Sequence, residues 1–221
     1  MTTTLDREDV LARTRQHVQE VLGEESTGHD WWHIERVCTT ALAIARGEGA
    51  DPFVVELAAL LHDIADWKFH DGDASVGPQR ARAWLEGLGV EGGIVDEVCE
   101  TIACVSFKGA GVETPVPTLA GRIVQDADRL DALGAIGIAR TFAYGGHKGQ
   151  PLHDPRMEPQ QHATFAEYQQ KRTTSINHFH EKLLLLKDRM NTETGRALAA
   201  GRHAFMEAFL EQFADECAGR K

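Results

Sequence analysis

From Asp6 to Phe213 the apolar residues recur at three- and four-residue steps, and no run alternates apolar and polar positions long enough to build a sheet. That period restricts the chain to an all-α fold. A first helix is expected from about Asp6 to Leu22, with Asp6 as N-cap and Val10, Leu11, Val18, Val21 and Leu22 facing inward. A second spans roughly Asp30 to Gly47. A third runs from Pro52 to about Asp66 and is apolar nearly all round, which places it in the middle of a core. Further helices fit Ser75 to Leu88, Glu91 to Ser106, Thr118 to Leu133 and Ile136 to Phe142. Two more close the chain. One is spaced by Phe165, Tyr168, Ile176, Phe179, Leu183, Leu186 and Met190, the other by Leu198, Phe205, Phe209 and Phe213.

The 221 residues suit a single domain over 1–221, a compact multi-helix bundle with its functional core at about 26–135 and C-terminal helices at about 164–215. Lys108 to Pro117 reads as a loop. So does Tyr144 to His162, whose Gly145, Gly146, Gly149, Pro151, Pro155 and Pro159 fit either a mobile lid or plain disorder.

A net charge of -11, with basic residues scattered along the chain, disfavours nucleic-acid binding. No stretch reaches the roughly 18 apolar residues of a membrane span, and the N-terminus lacks the basic and apolar regions of a signal peptide. The four cysteines show no Cys-x-x-Cys spacing and read as buried thiols. A cytoplasmic protein is expected.

The dipeptide His-Asp occurs four times, at His29, His62, His70 and His153. Only His62-Asp63 ends a buried apolar helix, where an uncompensated polar pair costs several kcal/mol and a cation would compensate it. Alone, the pair could equally satisfy itself or cap the helix. It is joined by His33, early in the preceding helix, and by Asp128, set between Ala127 and Leu130 on a helix that otherwise faces a core. These four residues, from three helices, read as one mononuclear metal site.

The strings GHDWWHIERV, LHDIADWKFHDGD and DADRLDALGA carry the four residues in this order. From about Ser26 to Phe213 the chain resembles the HD-domain superfamily of metal-dependent phosphohydrolases. Within it the chain looks like a small bacterial subgroup that hydrolyses nucleoside triphosphates to monophosphate and pyrophosphate. The resemblance makes His33, His62, Asp63 and Asp128 the ligands of one divalent ion. Two imidazoles and two carboxylates leave about two octahedral positions open and suit Mn(II) best, with Co(II), Ni(II), Fe(II), Zn(II) or Mg(II) as alternatives. Dinuclear relatives need more histidines before the last aspartate, and only His70 lies in that interval.

Asp66 follows Asp63 by three and His62 by four, so on a continuing helix it shares their face as general base, or else it faces solvent. In the related pyrophosphohydrolases this position is often Glu followed by Asp; here it is Asp66 followed by Trp67. Lys68 and Arg129 could neutralise phosphoryl charge. Arg36 could hold a phosphate or pair with a carboxylate, His29 could contact substrate or cap its helix, and Lys182 could be a solvated surface residue. Trp31 and Trp32 fit base stacking or packing, and Asp131 fits an orienting hydrogen bond near Asp128.

The expected partner is a small anionic nucleotide, and a homo-oligomer is compatible with the sequence. The expected activity is pyrophosphohydrolysis, with monophosphatase, phosphodiesterase or non-catalytic nucleotide binding as alternatives.

Overall fold

The computed structural model describes residues 6–22, 30–65, 73, 75–105, 115–160 and 173–221. Among them there is no strand, and no helix is long and apolar enough to cross a membrane. Contacts group the chain into two compact units, with the boundary after Asp128.

The first unit carries α1 (Arg7–Leu22), α2 (Trp31–Glu48), α3 (Pro52–Leu61), α4 (Val76–Gly87), α5 (Gly92–Val105) and most of α6 (Leu119–Asp131). As expected, Asp6 starts α1, its Oδ1 accepting from the Asp9 amide at 2.8 Å. Val10, Val18 and Leu22 face inward, but Val21 is exposed and Thr14 takes an inner position. α2 ends at Gly49, whose φ of 70° closes a left-handed cap.

α3 begins with Asp51 as N-cap, accepting from the Phe53 amide at 2.9 Å, and Pro52 at the first turn. Its residues are buried except Pro52 and the half-buried Glu56, and it packs on α1, α2 and α5. Glu56 is held by Arg15 at 2.8 Å. Arg15 also pairs with Glu35, tying α1 to both α2 and α3.

The second unit carries α7 (Gly134–His147), α8 (Ser175–Glu181) and α9 (Glu193–Cys217), with 3-10 turns at Leu183–Leu185 and Lys187–Arg189. Four expectations change here. α7 continues through Gly145 and Gly146 to His147, so the segment begins four residues later than its glycines suggest. Gly145 is buried, and a Cβ there would collide with Ser175 Oγ; the residue provides close approach, not a turn. The described part of the segment that follows is pinned to α8. Ser175 and Ile176 amides donate to Pro151 and Leu152 carbonyls at 3.0 and 3.1 Å, and Asn177 Nδ2 donates to Met157 O at 2.8 Å.

The expected helix reaching Met190 breaks after Glu181. A three-residue apolar step is also the 3-10 period, which is how Leu183 and Leu186 are both buried. On α9 the inner face consists of Gly195, Ala199, His203 and Met206, while Leu198 and Phe205 are 39% and 56% exposed. The expected Phe209 is half-buried and packs against Phe142 and Phe179, with ring centres 5.9 and 5.8 Å apart, so apolar bulk places Phe209 correctly and Leu198 and Phe205 wrongly.

Among the cysteines, Cys38 and Cys99 are buried as expected, Cys104 is half-buried, and Cys217, at the end of α9, is exposed. Burial pushes the Cys38 thiol well above its ordinary pKa.

Candidate metal centre

Asp30 caps α2. Its Oδ1 accepts from the His33 amide at 2.9 Å and fixes the turn from which His33 projects. The cap is therefore Asp30, whereas His29 lies outside the described residues. The His33 side chain is fully buried beside the core residues Ile34 and Val37.

At the other side of the site, α3 stops at Leu61 and residues 62–65 form a turn, with the Ile64 amide donating to Leu61 O at 3.2 Å. The side chain of His62 is bonded at this stop. Its Nδ1 donates at 2.7 Å to Ala59 O, the carbonyl that the Asp63 amide would take in a continuing helix. The shared face expected for Asp66 depends on a continuing helix, and the described residues end at 65 in this turn. Asp66 and Lys68 lie outside the described residues.

The four expected residues come together. His33 Nε2 stands 3.6 Å from Asp63 Oδ2 and 3.5 Å from Asp128 Oδ1, and His62 Nε2 stands 3.6 Å from Asp63 Oδ2. Donor atoms of His33, His62 and Asp128 all lie within 4.8 Å of one another. Two donors each about 2.1 Å from one ion and at right angles to each other are about 3 Å apart, so these spacings suit a cation after a small contraction.

The chemistry of the donors fits as well. Because Nδ1 of His62 gives its proton to a carbonyl, Nε2 of the neutral ring carries the lone pair. That atom is buried and takes no hydrogen bond, an expensive state unless a proton or cation meets it. Asp63 and Asp128 supply compensating negative charge and keep 14% and 28% side-chain exposure, leaving one side open to a ligand.

The remaining candidates divide. Arg36 lies on α2, half-buried. Arg129 is 7% exposed and donates through Nη1 to the Arg189 carbonyl, the position of a packing arginine. Asp131 pairs with Arg140 at 2.6 Å. Trp31 is half-buried with the Arg15 guanidinium 5.7 Å from its ring centre, and Trp32 is 65% exposed. Lys182 is the half-buried residue where α8 ends. Two further basic residues lie on or next to the segment after α7: Arg156 is held by Asp154 at 2.8 and 2.9 Å, and Lys148 lies 5.7 Å from the Tyr144 ring.

Sequence reasoning missed Asp30 as the residue that orients His33, although an Asp three positions before a buried helical residue is an N-cap signal. The Ala59 carbonyl has no signature in sequence.

A family model described as HD domain matches residues 31–133, a span that contains all four donors. The chain belongs to the HD superfamily. Its relatives include the uncharacterized protein YpgQ of Bacillus subtilis, 41% identical over 207 residues that make up 93% of this chain and 92% of YpgQ. An HD-superfamily hydrolase from Bacillus thuringiensis superposes with a TM-score of 0.77 at 42% identity, covering 96% of this chain and 99% of that one. YpgQ in complex with ADP gives a TM-score of 0.76 at 36% identity, covering 95% and 96%. This HD protein is thus a hydrolase of that superfamily, a class whose donor set implies a divalent metal.

Proposed function

We propose that this HD protein hydrolyses nucleoside triphosphates to monophosphate and pyrophosphate, with a divalent ion, Mn(II) favoured, held by His33, His62, Asp63 and Asp128. The observation that carries the reading is the convergence of two imidazole nitrogens and two carboxylates around a buried, hydrogen-bond-free Nε2 of His62. The ADP bound by YpgQ supports a nucleotide ligand.

When bound, the ion supplies Lewis acidity that lowers the pKa of water and neutralises charge on a phosphoryl oxygen. The chain does the rest. Asp30 holds the backbone amide of His33, Ala59 O holds the His62 imidazole, and the core around Ile34, Leu60 and Leu61 keeps water from the inner side. Asp66, four residues after His62, is the proposed acceptor of the proton from the attacking water. Arg36, Lys68 and His29 are proposed to meet the phosphates, whereas Arg129 is the weaker candidate because of its carbonyl partner. Water adds to the α-phosphorus, the bond from that phosphorus to the bridging oxygen breaks, and pyrophosphate leaves.

A panel of nucleotides with Mn(II), Co(II), Ni(II), Mg(II) or chelator, read for both phosphate and pyrophosphate, tests the proposal. Pyrophosphate released in a chelator-sensitive way is expected. Orthophosphate alone would point to a phosphatase, and no turnover with retained nucleotide binding would point to a regulator. Asp66→Asn should lower kcat by about 10²–10⁴-fold with metal content unchanged.

A further inference from the structure

The turn that follows Asp128 is held by two arginines, one from the next helix and one from far along the chain. Arg140 pairs with Asp131, and Arg202, on α9, donates through Nη1 to Leu130 O at 2.5 Å. That carbonyl also accepts from the Leu133 amide at 3.1 Å, so both of its lone pairs are used. The space for Arg202 is kept by Gly134. A Cβ at Gly134 would sit 3.2 Å from both Cβ and Cγ of Arg202, and its φ of 70° already favours glycine.

We propose that Arg202 is a positioning residue for Asp128, an inference that rests on Asp128 being a metal ligand. Asp128 lies in the last turn of α6, two residues before Leu130. The final carbonyls of a helix have no intrahelical donors, and such turns fray unless they are capped. A guanidinium at a helix C-terminus supplies a donor beyond the one the Leu133 amide gives, and a charge favourable to the helix dipole. α6 has a special need for it, because the turn that would fray carries a donor of the metal centre. Half-burial keeps the cap from solvent competition and lowers the Arg202 pKa, an effect partly countered by Asp131.

The test measures Mn(II) binding to the full chain by titration, followed by electron paramagnetic resonance of free Mn(II), in the wild type, Arg202→Met, Arg202→Lys and Asp128→Ala. Melting temperatures are taken with and without Mn(II). Arg202→Met should weaken Mn(II) binding about tenfold, the scale of losses when a residue that orients a ligand is removed. It should also shrink the upward Tm shift produced by Mn(II). Arg202→Lys, whose ammonium can still donate and keeps the same charge, should restore affinity to within about threefold of wild type.

A purely structural role would lower the Tm with and without Mn(II) equally and leave the affinity alone; that result overturns the proposal. If Asp128→Ala itself leaves Mn(II) binding unchanged, the metal-site reading fails and this inference with it. If Asp128→Ala loses Mn(II) while Arg202→Met does not, only the role of Arg202 is lost. Should Arg202→Met not fold, Arg202→Gln is measured against the same expectations.

Discussion

At His62 one bond, from Nδ1 to the Ala59 carbonyl, sets the tautomer at the end of α3, so the metal-facing lone pair is fixed beside the turn that presents Asp63. Single substitutions His62→Ala and Asp128→Ala should each remove bound divalent metal as read by elemental analysis. His153→Ala should not, since His153 stacks edge-on against Phe213. The dipeptide alone could not separate His62 from His153; the apolar helix before it could. Asp30 was visible in the sequence but looked like one more His-Asp pair, and its use shows only in the bond to the His33 amide.

A second residue-level consequence concerns pH. His17 lies 3.9 Å from Trp84 in a parallel stack, and desolvation there outweighs nearby Glu20 and lowers its pKa below the ordinary value of 6.5. The unfolded chain then binds the proton more readily. Stability from this site is full above about pH 6.5 and declines as pH falls from there toward the folded value. His17→Phe, which keeps the ring and removes the titration, should lose less Tm between pH 7 and pH 5 than the wild type.

At the scale of elements, α1 to α6 were legible because caps and period agree, as at Asp6, Asp51 and Pro52. The end of α3 was not, because no Gly or Pro stands where it stops at Leu61. The C-terminal part was harder still: three-residue apolar steps fit two helix types, and the inner face of α9 mixes Gly195, Ala199 and His203 with Met206, while Leu198 and Phe205 turn outward. Met206→Ala should therefore cost about 2–5 kcal/mol in denaturant unfolding. Phe205→Ala, on the exposed side, should stay within about 0.5 kcal/mol. The opposite ranking would restore the face suggested by apolar bulk.

For the whole molecule, the sequence read as one domain, while contacts group it into two units that meet in the chain inside α6. No composition shift marks that point, since a helix continues through it and linker residues are absent. The all-α class and the HD superfamily were legible from period and motif order. At 100 times its dissociation constant, a bound ion adds about 2.7 kcal/mol of stability. Excess chelator should therefore lower the Tm of the metal-loaded protein by ~5–10 °C in calorimetry.

The donors that lie within 4.8 Å of each other come from far-separated stretches of chain, at His33, His62 and Asp128. An ion gripping all three closes two long loops at once and so behaves like a cross-link that can be added or withdrawn. Closing a loop costs entropy that grows only slowly with its length, so most of the cost is already met by the time the helices have docked. Metal arriving late would lock a nearly finished fold, whereas metal bound early to stray histidines and carboxylates would tie the chain in the wrong places. Refolding should consequently be cleaner when Mn(II) is added after the helices form than when it is present from the start.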